Sequence, residues 1–215
     1  MNLYVVSGLG ADFKVLEKLH FPENINVIYL EWLVPNPKED FQHYIRRMSE
    51  KIDTSQPFYL LGYSFGGIIV QEIHQLFPAE KVVILGSIKS HHEKSTLIKL
   101  GYYSKIPKII PQKIFNDRNI LHYSNFRKFI DSQNPKILEY FTVRNPYYLK
   151  WSIEKITEWK HEETPNIIQI LGDKDIVFPI RNSHPDYIIQ GGTHLFPVTK
   201  AKEVSAILQQ IFSKN

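Results

Sequence analysis

Short, largely apolar, β-branched runs alternate along this chain with stretches whose apolar residues recur at helical spacing. Leu3-Tyr4-Val5-Val6 is the first run, Ile25 to Leu30 the second, Phe58-Tyr59-Leu60-Leu61 the third and Lys81-Val82-Val83-Ile84-Leu85-Gly86 the fourth. Asn166-Ile167-Ile168-Gln169-Ile170-Leu171-Gly172 and Tyr187-Ile188-Ile189-Gln190 come much later. These runs lack the polar alternation of half-exposed strands, so both faces of each are expected to be buried. Between them, Val15, Leu16 and Leu19 mark a short helix face, and Phe41, Tyr44, Ile45, Met48 and Ile52 a longer one. Gly67 through Leu76 reads as a buried helix, and Val204, Ile207, Leu208 and Ile211 as the inner face of a last helix. The alternation predicts an α/β fold, a parallel sheet with helices on both faces and right-handed crossovers. Ligands of such sheets bind beyond the carboxyl ends of the strands, so chemistry is to be sought in the residues that follow each run.

Residues 89–163 break the pattern. They hold no β-branched strand run. Leu97, Ile98, Leu100, Tyr102, Tyr103, Ile106, Ile109 and Ile110 form amphipathic helical pieces punctuated by Pro107 and Pro111. Phe126, Phe129 and Ile130 form a second stripe, and Tyr147, Tyr148, Trp151 and Ile156 a third. This predicts a core made of residues 1–88 and 164–215, with 89–163 inserted between the fourth and fifth strands as a helical cap. Two or three of its aromatics are expected to face the site. At 215 residues, 43% of them hydrophobic, the chain suits one domain carrying such an insertion.

Charge separates the same two parts. The net +4 is concentrated in residues 89–163, which hold 14 Lys/Arg against 8 Asp/Glu, while the remainder holds 12 against 14. The basic cap is either a solvated helical surface or an attraction for an anionic substrate or partner. No Lys/Arg run is dense enough to argue for nucleic acid. There is no cysteine, which excludes disulfides, zinc–thiolate sites and thiol catalysis. No stretch approaches the roughly 18 apolar residues of a membrane span. Strand-like sequence from Asn2 leaves no room for a signal peptide, so a cytoplasmic protein is expected.

The sharpest local signal is Gly62-Tyr63-Ser64-Phe65-Gly66, directly behind the third run and ahead of the buried helix. It puts a serine on a strand-to-helix turn, with glycines placed where a Cβ would block a close backbone crossing. The helix N-terminus adds positive potential at the hydroxyl. A serine hydroxyl needs a base, most often histidine. Of nine histidines, His194 alone follows both a strand and a glycine pair, in Gly191-Gly192-Thr193-His194. His184 precedes that strand, at the opposite end of the sheet. A carboxylate is needed to orient the histidine, and the loop after the fifth run offers Asp173 and Asp175. Ser7-Gly8-Leu9-Gly10-Ala11-Asp12, after the first strand, suits oxyanion donation. A phosphate-binding glycine loop is the weaker alternative, since the third glycine of a dinucleotide fingerprint and a Walker lysine are both missing.

These motifs, in the order Ser…Asp…His, resemble the α/β-hydrolase superfamily over nearly the whole chain, and within it the small bacterial esterases and thioesterases that bear a helical lid. The resemblance implies Ser64 as nucleophile, His194 as base and Asp175 as orienting acid. It implies backbone N–H groups of Leu9 and Phe65 as the oxyanion hole. It implies a carboxylic ester or thioester as small-molecule acyl substrate, and neither metal nor organic cofactor. A slow ligand-binding or signalling protein on the same scaffold, and a carbon–carbon hydrolase or lyase with the same triad, are the alternatives. The chain departs from the family in three ways. It lacks two leading strands, which predicts a reduced, six-stranded sheet. Ser7 stands where the family usually has histidine. Only 19 residues separate Asp175 from His194, so any helix between them must be very short.

Overall fold

In a computed structural model that describes residues 1–116, 119 and 137–213, the six apolar runs become six strands. They are β1 (Asn2–Val6), β2 (Asn26–Tyr29), β3 (Phe58–Tyr63), β4 (Lys81–Leu85), β5 (Ile167–Gly172) and β6 (Tyr187–Ile189). All neighbours pair in parallel, in the order β2-β1-β3-β4-β5-β6. The chain runs outward from β1 to β2 and returns to β3 on the other side of β1. The loops after β1 and β3 therefore diverge at this switch point, where open parallel sheets form a crevice.

Alternation along the strands divides the core into two layers. Tyr4, Val6, Leu60 and Ile84 face one layer, and Leu3, Val5, Leu61 and Val83 face the other. The first layer is covered by α1 (Phe41–Met48) and α2 (Phe65–Leu76), whose Ile68, Ile69 and Ile73 are fully buried. Asp40 caps α1, its carboxylate accepting the His43 N–H at 2.7 Å. Between β4 and β5 lie α3 (Thr96–Ser104), α4 (Ile106–Ile109), α5 (Ile137–Tyr140) and α6 (Pro146–Glu158). Asn145 caps α6 and Pro146 opens it, an arrangement that leaves no N–H wasted. After β6 come α7 (Phe196–Thr199) and α8 (Ala201–Ser213), and Val204 and Leu208 of α8 cover the second layer. Among the described residues no helix is long and apolar enough to cross a membrane.

Two details differ from the sequence reading. Val15, Leu16 and Leu19 are buried as expected, but from a single 3-10 turn over Phe13–Val15 and the turns after it. Asp12 bonds the Lys14 N–H and starts that turn, and the chain leaves it too soon for an α-helix. The helix behind the serine starts at Phe65 rather than Gly67. The very short helix expected between Asp175 and His194 is one 3-10 turn, Ile180–Asn182. The stripe at Phe126, Phe129 and Ile130 lies outside the described residues.

A buried carboxylate ties the end of the inserted segment to α2. Glu72 accepts N–H bonds from Trp159 Nε1 and Gln42 Nε2, each at 2.7 Å, and His161 Nδ1 lies 3.5 Å away. Burial pushes this carboxyl up, and the His161 ring with the Trp159 and Gln42 donors outweighs it, holding the group below the usual glutamate range. The unfolded chain therefore binds the proton more readily than the folded one. The stability this carboxylate adds is present above the ordinary glutamate pKa and is lost as pH falls through the lower, folded value. Glu72→Gln is expected to flatten the acid limb of a plot of unfolding free energy against pH, read by denaturant melts, while lowering stability near neutrality.

Candidate active site

Ser64 sits between β3 and α2 with φ 53° and ψ −119°. A non-glycine residue held there stores about 1–3 kcal/mol of backbone strain. The neighbours fix it: Ser64 N–H donates to the Leu85 carbonyl at 2.8 Å, and Gly67 N–H to the Ser64 carbonyl at 2.9 Å. The glycines are required by contact. A Cβ on Gly62 would meet the Gly66 carbonyl oxygen at 2.3 Å, and one on Gly66 would meet that of Val6 at 2.3 Å. The turn thus lifts the hydroxyl off the end of the sheet, at the N-terminus of a buried helix.

The loops after β5 and β6 are locked together. Lys174 N–H donates to the Gly192 carbonyl at 2.9 Å, and a Cβ on Gly172 would lie 2.1 Å from that oxygen. This contact brings Asp175 to His194. His194 Nδ1 lies 2.7 Å from Asp175 Oδ2, and its Nε2 lies 2.9 Å from Ser64 Oγ. Asp175 is buried, and its other oxygen accepts the N–H groups of Val177 and Phe178 at 2.8 and 3.1 Å. A carboxylate only accepts, so Nδ1 carries the imidazole proton and Nε2 presents its lone pair to the serine hydroxyl. Asp175, not Asp173, makes the bond to His194. Tyr63 adds a brace the sequence did not announce, its hydroxyl donating to the His194 carbonyl at 2.8 Å.

The loop after β1 closes on the serine from the other side. A Cβ on Gly8 would stand 3.3 Å from Ser64 Cβ. Ser7, in the position expected of histidine, is structural: its hydroxyl donates to the Ala11 carbonyl at 2.7 Å. Trp32, beyond the carboxyl end of β2, donates its Nε1–H to Ser7 Oγ and to the Gly8 carbonyl, both at 3.0 Å. Its indole stacks on Phe65 at 5.2 Å and 7°. One side chain therefore spans the two segments that carry Leu9 and Phe65. Trp32 was missed in the sequence; the signal available was its place after a strand end. Trp32→Phe keeps a stacking ring and deletes the donor. Where these two loops hold the oxyanion donors that the family resemblance implies, loss of the brace is expected to lower kcat about tenfold in an acyl-ester assay, with KM changed less than about twofold. Steady-state kinetics check this.

The inserted segment meets the same loop. Val143 N–H donates to the Gly10 carbonyl at 2.9 Å, Ala11 and Phe141 form an antiparallel bridge, and Tyr148 Oη accepts the Gly10 N–H at 3.4 Å. Gly10, at φ +70°, packs so close to Phe141 that a Cβ would lie 2.1 Å from the ring. Ser64 and His194 open into a cavity of about 510 Å³. Leu97, Ile98 and Ile106 wall one side, Ile153 and Ile156 another, and among the described residues Tyr140 and Phe141 are the aromatics of the inserted segment that reach it. Among the described residues no Asp, Glu, Lys or Arg lines this cavity. Tyr148 and Trp151, grouped in the sequence with Ile156, instead pack against Trp32 and Tyr44. Among the described residues one group of His and acidic side chains is close enough for a metal ion, His91, His92 and Glu162, and none of the three lines the cavity.

No protein-family model matches the chain, and no curated protein matches it in sequence. Solved structures do. A thermophilic esterase from Thermogutta terrifontis superposes with a TM-score of 0.70 at 10% identity, over 100% of this chain and 90% of the esterase. An N-acyl homoserine lactonase, AidH, solved with N-hexanoyl homoserine lactone, gives 0.69 at 13% identity, over 98% and 89%. A lipase-esterase related protein from Clostridium acetobutylicum gives 0.63 at 19%, over 96% and 92%. The chain has the α/β-hydrolase fold. Its α/β-hydrolase sheet is the reduced, six-stranded, all-parallel form expected from the missing leading strands. The loops after β1, β3, β5 and β6 bring Leu9, Ser64, Asp175 and His194 to one end of this sheet.

Proposed function

We propose that the protein is a serine hydrolase that cleaves a carboxylic ester or thioester through an acyl-enzyme. The observation that carries the reading is the continuous chain of short hydrogen bonds from Asp175 through His194 to Ser64 at the mouth of an apolar cavity. Ser64 Oγ attacks the acyl carbon and passes its proton to His194 Nε2. Asp175 keeps the proton on Nδ1 and stabilises the imidazolium that results. The carbonyl oxygen takes up negative charge facing the backbone N–H groups of Phe65, at the positive end of α2, and of Leu9. Collapse breaks the bond to the leaving alcohol or thiol, which takes the proton from His194. Water then attacks the acyl-enzyme with His194 again as base, releasing the acid and restoring the serine. No step calls on a metal or organic cofactor. The fold is shared with proteins described as esterases and as a lactonase, which fits acyl transfer to water.

The cavity narrows the acyl group. Walls that among the described residues carry no charged side chain suit an uncharged chain and penalise a carboxylate, because burying an unpaired charge is costly. The test is a series of p-nitrophenyl esters of increasing chain length, each compared with its analogue carrying a terminal carboxylate. An uncharged medium-length chain is expected to win by about 100-fold or more in kcat/KM. Absence of turnover across the series would overturn the hydrolase assignment, and equal rates for the carboxylated chains would overturn the substrate class.

A further inference from the structure

The inserted segment holds a second cavity, of about 390 Å³, next to the first. Gly101, Pro107 and Thr157 line both, where α3, α4 and the end of α6 meet. Its other walls differ in kind: Tyr102, Lys105, Lys108, Glu158 and Lys160. The single carboxylate among them is already engaged, by Lys108 and, at 3.8 Å, by Lys155. Among the described residues neither Lys105 nor Lys160 has a carboxylate within ion-pair reach.

The remaining positive charge is crowded rather than dispersed. Lys160 Nζ lies 5.5 Å and Lys94 Nζ 6.0 Å from the centre of the Tyr102 ring. Lys94 donates to the Thr157 and Trp159 carbonyls at the end of α6, at 2.8 and 2.5 Å. Burial, and after it the charge of Lys160, hold Lys94 down at about 8, with Lys99 pushing the same way. Lys105 joins α3 to α4 at φ 54° and ψ 15°, a left-handed position where glycine or asparagine is usual. Like charges without a carboxylate partner around a concavity are a cost that an incoming anion would offset.

We propose that this second cavity binds the phosphate group of a phosphorylated small molecule. Lysines serve as point-charge phosphate ligands, and the volume exceeds what a bare ion fills, leaving room for the group that bears the phosphate beside the Tyr102 ring. Two sources share this chemistry. One is the leaving group of the substrate itself, a thiol carrying a phosphorylated tail such as coenzyme A. The other is a free nucleotide or inorganic phosphate. The first source alone rests on the acyl-hydrolase reading.

The experiment is calorimetric titration of 3′,5′-ADP and of inorganic phosphate into the whole protein. The same titrations are run on the Lys105→Gln/Lys160→Gln double variant and on Lys113→Gln, a lysine of the same segment outside the cavity. Thermal melts establish that all three are folded. The wild type and Lys113→Gln are expected to bind at least one probe, and the double variant to bind it about tenfold or more weakly. No binding of either probe, or equal loss in Lys113→Gln, would overturn the proposal. KM values for hexanoyl-coenzyme A and hexanoyl-pantetheine then assign the source. A lower KM for the phosphorylated thioester, with the advantage gone in the double variant, places the phosphate on the substrate. Probe binding with equal KM values makes the cavity a site for a free phosphate compound. Failure of the hydrolase reading would look different: no ester turnover, with probe binding intact.

Discussion

Ser64→Ala is expected to lower kcat on a p-nitrophenyl ester by a factor on the order of 10⁵–10⁶, with the protein still folded. The loss is large because, in the proposed mechanism, the hydroxyl is the atom that forms the covalent bond, and His194 has nothing else to activate. The fold survives because the backbone of Ser64, not its side chain, makes the local bonds, to the Leu85 carbonyl and from Gly67 N–H. Alanine has the same Cβ and carries the same strain at φ 53°. A melting temperature within a few degrees of wild type accompanies the kinetic loss. The cavity and the N–H groups of Leu9 and Phe65 remain, so the residual rate stays above that of water alone.

Asp175→Asn is expected to cost about 10⁴ in kcat without loss of fold. The two oxygens of Asp175 have separate tasks. One accepts the Val177 and Phe178 N–H groups, and the asparagine carbonyl can keep that task. The other accepts the His194 Nδ1 proton, and an asparagine NH₂ in its place donates instead. The imidazole must then turn its lone pair toward residue 175 and its proton toward Ser64. A histidine in that tautomer cannot take the serine proton. Steady-state kinetics on one ester series measure both substitutions. A loss of less than about tenfold for Asp175→Asn would mean that the short bond at 2.7 Å is structural only.

The four central strands were legible in the sequence because they are buried on both faces. The edge strands β2 and β6, expected to be buried likewise, are partly exposed because each has a neighbour on one side only. Leu3 to Val6, Phe58 to Leu61 and Lys81 to Gly86 stood out as largely apolar runs, and each became a strand close to its expected bounds. Val15, Leu16 and Leu19 misled for a physical reason: apolar spacing reports which side is buried, and turns can bury a side as well as a helix can. The residues of the candidate site were legible where chemistry restricts the residue type and the strand ends restrict the place, as at Ser64 and His194. Between Asp173 and Asp175 the residues alone did not choose. The contact of Gly172 with Gly192 sets which carboxylate reaches the ring, and it is invisible without coordinates. Trp32 was hidden for the same reason, since its partners Ser7 and Gly8 lie some two dozen positions away in the chain. The described residues between β4 and β5 are largely helical, as their spacing predicted, but the spacing did not say which aromatics serve the cavity. Tyr140 and Phe141 line it, whereas Tyr148 and Trp151 turn into the core.

The claim on which the rest depends is that Ser64 is a nucleophile made reactive by His194. The direct measurement is reaction with a fluorophosphonate probe followed by mass-spectrometric mapping of the labelled peptide. One label per chain on Ser64 is predicted, with labelling abolished in Ser64→Ala and slowed at least a hundredfold in His194→Ala. Labelling that persists in Ser64→Ala, or that maps to another residue, would contradict it.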